Sequence, residues 1–237
     1  MNTPTRDLPE AHSSKAARLL AAAGELLIGR GAKGFTVAEV ASRAHVGKGT
    51  VYLYWPTKED LLIGLIGRAF LRLLDDLIVR LDADPDLARP SRFCPAMLQV
   101  ATGHPLVAAL HRRDDDLLGV LTDHPRSVAL DGALGPDAVL SAVLPIWRSN
   151  KLARGDWNVE DQNFALRSLI TGVGLSLVGP GTVTVADPME VLATTITAIL
   201  GPELADQRHL RVAAAEIVGF LRDAQTTALD LIDRPAD

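Results

Sequence analysis

The sequence predicts an all-α protein. Three observations carry that expectation: apolar residues recur every three to four positions, Ala and Leu dominate over β-branched residues, and no strand-like alternation lasts more than a few residues (TVTVAD is the longest, and it reads as a loop). The 237-residue chain is 48% hydrophobic and 22% charged, a globular balance that argues against general disorder and fits one to two domains. Its start, MNTPTRDLPEAHSSK, lacks the apolar core of a secretory signal. The longest near-apolar run, LITGVGLSLVG, falls short of the roughly 20 residues a membrane helix needs. The single cysteine, Cys94, excludes an internal disulfide and cannot build a zinc site alone. A cytoplasmic protein with no membrane partner is the simplest expectation.

The elements follow from their punctuation. A polar arm over 1–13 precedes a first helix at 14–30, capped by Ser13 or Ser14, with apolar positions 16, 19, 20, 23, 26 and 27 on one face. GAKG stops it, because glycine suits a left-handed C-cap. Thr36 and Glu39 form a capping box that opens a second helix, whose Val37, Val40, Ala41 and Ala44 face inward. HVG interrupts it. A third short helix runs from Lys48 to Trp55 and ends at Pro56. A long fourth helix covers 57–82, with acidic residues near its start that suit the helix dipole. Beyond 83, frequent Gly and Pro divide the chain into segments near 91–102, 105–123, 136–150, 158–179, 187–200 and 203–233. In the last segment Leu210, Ala214, Ile217, Leu221, Ala224, Ala228 and Leu231 alternate at spacings of four and three, a seam for another helix.

Charge is uneven along the chain. The net charge is −5, yet residues 1–60 carry eight Lys/Arg against six Asp/Glu, leaving the remainder at −7. A mildly basic front end therefore sits on an acidic body, although solvated surface alone also produces such a difference.

The second and third helices, joined by a short turn, form a candidate helix-turn-helix. Val51 and Trp55 are four apart and share a face that packs inward. Lys48, Gly49 and Tyr52 share another, offering a cation, a gap for close backbone approach and a phenol for phosphate or a thymine methyl. Thr50 and Tyr54 occupy the flank, where hydroxyls reach phosphate oxygens, and Lys58 adds a charge at the start of the next helix. The only two tyrosines of the chain, in a protein that is 4% aromatic, thus fall beside two lysines.

The stretch FTVAEVASRAHVGKGTVYLYWPTKEDLL resembles the DNA-binding segment of the TetR family of bacterial transcriptional regulators. The likeness lies in a Thr-capped helix, then Lys-Gly-Thr, an aliphatic, Tyr, any residue, Tyr or His, an aromatic, and Lys-Glu-x-Leu. It spans about residues 14–74, a quarter of the chain. The resemblance implies DNA contacts at Thr36, Lys48, Gly49, Thr50, Tyr52, Tyr54 and Lys58. It also implies a three-helix DNA-binding domain over 14–56, a linking helix over 57–82, and a helical effector-binding and dimerisation domain over 83–237. The partners it implies are double-stranded operator DNA, a second copy of the chain and a small-molecule effector, with 158–179 and 187–200 in the position of the dimerising helices. Two positions depart from the family pattern. Gly47 replaces the usual Ser or Thr cap, and Leu53 stands where a polar or aromatic residue that can touch the duplex is common; an apolar base contact or none is open to it, and it is left unassigned.

Bland readings accompany several of these residues. Capping alone accounts for Thr36, core packing for Trp55 and also for Tyr54, and a solvated helix start for Lys58. Phe93, Met97, Trp147 and Phe164 fit either a ligand pocket or plain core. Glycines 172 and 174 read as permitting close helix packing. His104, His111 and the acidic run 114–116 read as a solvated face before a metal site, since no i,i+4 histidine pair exists. GVGLSLVG is not a dinucleotide loop, and Ser176 is not in a nucleophile elbow. No catalytic set, cofactor or metal is expected, so an enzyme or adaptor body is disfavoured. A repressor released by a small molecule is the first reading; an activator, or a regulator controlled by a protein partner, is the alternative.

Overall fold

A computed structural model of the chain describes residues 8–104, 106, 125–178 and 184–233, and every regular element among them is helical. The helices are α1 (Pro9–His12), α2 (Ser14–Arg30), α3 (Val37–Arg43), α4 (Lys48–Tyr54), α5 (Lys58–Ala83) and α6 (Pro90–Gly103). They continue with α7 (Pro125–Leu134), α8 (Pro136–Ser149), α9 (Val159–Val178), α10 (Pro188–Leu200) and α11 (Gln207–Asp233). A short 3-10 turn, Pro85–Ala88, joins α5 to α6.

Caps fix most boundaries. The Ser13 hydroxyl accepts from the Ala16 amide, and Gly31, at φ 71°, closes α2 in the left-handed region that favours glycine. Asp187 accepts from the amides of Met189 and Glu190 ahead of Pro188 at the first turn of α10. Asp206 does the same for Arg208 and His209, so α11 begins four residues later than the periodicity suggests. The amide of His209, with its ring nitrogen, holds the Asp206 carboxyl down at about 2.

Two regions share α5. Its first half, where Leu61, Leu62 and Leu65 are buried, meets the head formed by α2, α3 and α4 chiefly through α2. Its second half lays Leu73, Leu74, Leu77 and Leu81 against α6 and α11. The expected seam of α11 is real: Leu210, Ala214, Ile217, Leu221, Ala224 and Ala228 are all buried, against α5, the 3-10 turn, α7 and α8 of the same chain. Near its end α11 comes so close that a methyl at Gly67 would lie 2.5 Å from the Ile232 side chain.

Several expectations change. Part of the 1–13 arm is packed: Leu8 is buried, and Glu10 of α1 binds Arg68 of α5. The helix α7 covers a stretch that Pro125, Gly132 and Gly135 make look like turns. Phe164 is 62% exposed on α9, so it lines no interior pocket. Phe93 and Trp147 are wholly buried and meet edge to face, with the Trp147 indole donating to the Ala88 carbonyl at 2.8 Å. Gly172 faces open space within the chain and needs no close neighbour there. The expected helix at 105–123, His111 and the acidic run 114–116 lie outside the described residues, apart from Leu106, as do Thr182 and Val183; the other four residues of TVTVAD form the expected loop.

By length and composition Pro125–Ser149 could cross a membrane. It is two helices, broken at Gly135 (φ −61°, ψ 156°), and Leu140, Val143, Leu144 and Trp147 are core. Its core residues fall on one face of α8, the pattern of a helix packed within the fold.

Candidate nucleic-acid interface

The head is set by three interlocking caps and one tight turn. Thr36 and Glu39 complete the expected capping box: the Thr36 hydroxyl accepts from the Glu39 amide, and Glu39 accepts from the Thr36 amide at 2.8 Å. Those Thr36 hydrogen bonds hold the Glu39 carboxyl below its ordinary range, with Arg30 adding to the effect. After α3, Ala44 and His45 bond back to Val40 and Ser42, and Val46 reaches the Ala41 carbonyl at 3.0 Å. This six-to-one closure puts His45 at φ 53°, a left-handed conformation that costs a non-glycine residue. Gly47 then caps α4 with no side-chain bond.

The short helix α4 is anchored from one side. Val51 and Trp55 are buried, and the Trp55 ring lies over α5 at Gly64, where a methyl would come within 3.1 Å of it. Tyr54 is half-buried, its ring 5.6 Å from that of Trp55, and its hydroxyl pairs with Ser13 at 2.7 Å. The phenol of Tyr54 therefore bonds the cap of α2. Lys58 also turns inward: its ammonium bonds the Phe35 carbonyl and sits 4.4 Å from the Phe35 ring centre. Thr36, Tyr54 and Lys58 thus each hold a bond inside the head.

The other predicted residues meet on the outward side. Lys48 and Gly49 are exposed, Thr50 is half-buried on the flank, and Tyr52 is 43% exposed. The Lys48 ammonium lies 5.7 Å from the centre of the Tyr52 ring, which sets the cation beside the phenol. Leu53 is 81% exposed, the most exposed large apolar side chain among the described residues. Nearby cations are partly neutralised within the chain: Arg30 pairs with Glu39 and Arg43 with Glu25.

The start of α5 ties this head to the body. Thr57 and Asp60 form a second capping box, with the Asp60 carboxylate accepting from the Thr57 amide and hydroxyl. Its other oxygen takes Arg126 of α7 at 3.2 Å. Asp60 is only 4% exposed, five residues after Trp55. Sequence reading missed Asp60 as a cap although Thr57-x-x-Asp60 carries the signal. Nothing local announces Arg126, 66 residues away.

The body offers two openings. An apolar cavity of about 40 Å³ lies between α5, α6, α7, α8, α9 and α11, lined by Phe70, Leu77, Met97, Leu134, Ile170 and Leu221 among others. Of the four aromatic and methionine positions considered from sequence, Met97 is the one that lines it. A wider, open groove of about 390 Å³ runs between α9 and α10 past Gly172, Ser176 and Val191. Among the described residues no group of three or more His, Cys, Asp or Glu is placed to hold a metal ion.

Residues 19–65 match the family described as "Bacterial regulatory proteins, tetR family". In fold, the chain is similar to the fatty acid degradation regulator FadR from Bacillus halodurans, at 16% identity and a TM-score of 0.55, covering 82% of this chain and 98% of that one. It also aligns with FadR of Thermus thermophilus, a transcriptional repressor solved in complex with lauroyl-CoA. There the identity is 22%, the TM-score 0.47, and the coverage 81% of this chain and 95% of that one. No curated protein matches the chain in sequence. At such identities the structural likeness is one of fold.

Proposed function

We propose that this chain, whose residues 19–65 match the tetR family of bacterial regulatory proteins, is a cytoplasmic transcriptional repressor of that family that binds a palindromic operator as a homodimer and is released by a small molecule. The observation that carries the reading is the outward face of α4. Lys48, Gly49 and Tyr52 stand exposed on a seven-residue helix whose opposite side is locked to the head by Val51 and Trp55. Such a helix enters the major groove with a cation for phosphate, a phenol at its flank and no side chain at Gly49 to hold the backbone away. Thr50 serves the flank. Thr36, Tyr54 and Lys58 act from the edge, where exchanging their internal bonds for phosphate oxygens is part of binding.

Dimerisation is supported by chemistry and by geometry. A single seven-residue helix reads few bases, and a two-fold pair doubles the contacts. On α9 and α10, Phe164 and Val191 are 62% and 49% exposed beside the open groove, and Gly172 has room for a neighbouring helix. That face suits a second copy. The small apolar cavity beside α5 marks where an apolar effector, by widening it, would press on the helix that carries the head. A tenfold change in operator affinity needs only about 1.4 kcal/mol of differential binding.

The deciding experiment is a mobility shift with the DNA upstream of the chain's own gene. Wild type gives a sequence-specific complex that Tyr52→Ala and Lys48→Ala each weaken. Absence of any complex above non-specific binding at low salt would refute the reading. Light scattering at micromolar concentration checks the dimer, and a thermal-shift screen of small molecules, followed by loss of the shifted band, checks release.

A further inference from the structure

We propose that Leu53 reads a thymine through its 5-methyl group and stands at the centre of the DNA-facing ridge of α4; this rests on the DNA-binding reading above. At 3.6 residues per turn, Gly49 and Leu53 fall about 200° round the helix from the Val51–Trp55 edge. They therefore point straight out, with Tyr52 on one flank, Thr50 on the other and Lys48 behind Tyr52. Gly49 has nothing within 4 Å of where a methyl would sit. One turn later Leu53, at 81% exposure, rises from the same ridge as its tallest feature.

Scattered exposed leucines are ordinary on a protein surface. Leu53 is set apart by its surroundings: Gly49 shares its ridge, Tyr52 flanks it, and the Lys48 ammonium lies beyond, over the Tyr52 ring. Leucine has no donor or acceptor, so it reads neither a phosphate nor the hydrogen-bonding edge of a base. The major groove presents one apolar handle, the thymine methyl. The shape of the ridge matches that handle, since the gap at Gly49 brings the backbone close and leaves Leu53 as the part that reaches deepest.

The test uses the full chain and single atoms of DNA. Enrichment from a randomised duplex pool supplies the operator, and each thymine is then replaced in turn by deoxyuridine, which lacks only the methyl. The expected result is one thymine in each half-site whose replacement weakens wild-type binding about fourfold per half-site. Leu53→Ala loses a similar factor and becomes indifferent to that replacement, whereas Leu53→Met keeps the sensitivity. Circular dichroism of Leu53→Ala should match wild type, because the side chain touches little in the chain. An operator that enriches but shows Leu53→Ala binding as tightly as wild type, or full additivity with every deoxyuridine, overturns this inference alone. Failure to enrich any operator overturns it together with the DNA-binding reading.

Discussion

The head and the body of this molecule solve the same problem, a helix that must hold its place, by opposite means. In the head, α4 has seven residues and buries one of them, so it depends on bonds at its margins. Trp55 on Gly64, Tyr54 on Ser13, and the Thr36 and Thr57 boxes supply these. In the body, α11 has 27 residues and is held along its length by a seam of Leu, Ala and Ile on α5, the 3-10 turn, α7 and α8. The short helix gains a rigid outward face from a few specific contacts. The long one gains stability from area and leaves a cavity beside it. The difference teaches that position is specified in the head and burial in the body.

The two buried tryptophans give the largest test of that contrast. Trp147→Ala and Trp55→Ala should each cost about 3–5 kcal/mol in denaturant unfolding. Below the lowered midpoint, Trp147→Ala should still bind operator, whereas Trp55→Ala should not, because its loss frees α4 from α5. Equal retention of binding in both would break the distinction. Next in size is the link between the regions. Arg126→Met leaves the buried Asp60 carboxylate short of a cation and should cost about 1–3 kcal/mol. Since Asp60 caps α5 beside the recognition helix, operator affinity should fall as well, although Arg126 sits in the body. Anisotropy at a temperature where the variant is folded reads this.

A third expectation concerns pH. Burial pushes the Glu10 carboxyl up, but the hydrogen bonds and charge of Arg68 outweigh it and hold the group below its ordinary 4.5. A depressed folded value means the stabilisation is complete above the unfolded pKa and lost as pH falls through the lowered one. The docking of α1 on α5 should therefore weaken only below about pH 4.5, with Glu10→Gln abolishing the dependence in amide exchange near Leu8. The smallest effect is at the turn. His45→Gly should stabilise the head by about 0.5 kcal/mol, because glycine adopts φ 53° without strain. Thermal unfolding measures it, and destabilisation would show that the imidazole does more than close the turn.

The head was largely legible in the sequence because its structure is written in local signals. Ser13, Thr36 with Glu39, Gly31 and Pro56 each act within a few residues, and α2, α3 and α4 begin and end within a residue or so of where those signals place them. The outward set of Lys48, Gly49 and Tyr52 followed from helical phase alone. What escaped was long-range. The Tyr54–Ser13 bond spans 41 residues, and it gives a hydroxyl that reads as phosphate-facing a partner in the chain. Lys58 on Phe35 is another such contact, across 23 residues. In the body, α9 is apolar on much of its surface, so periodicity could not say that Phe164 faces outward. The helix α7 was hidden because proline at a first turn and glycine within a helix are also the signature of a loop.

The close approach of Ile232 to Gly67 gives α5 the mechanics of a lever. At 1.5 Å per residue its 26 residues form a rod of about 39 Å. The pivot divides it unequally, with the shorter arm, about 14 Å, on the side of α4 and the longer one, about 24 Å, in the body. A rod turning about that point trades distance for force. On the proposed reading, a push on the longer arm from an occupant of the apolar interior arrives at the head as a smaller and firmer displacement, at the end where Asp60 and Trp55 lie.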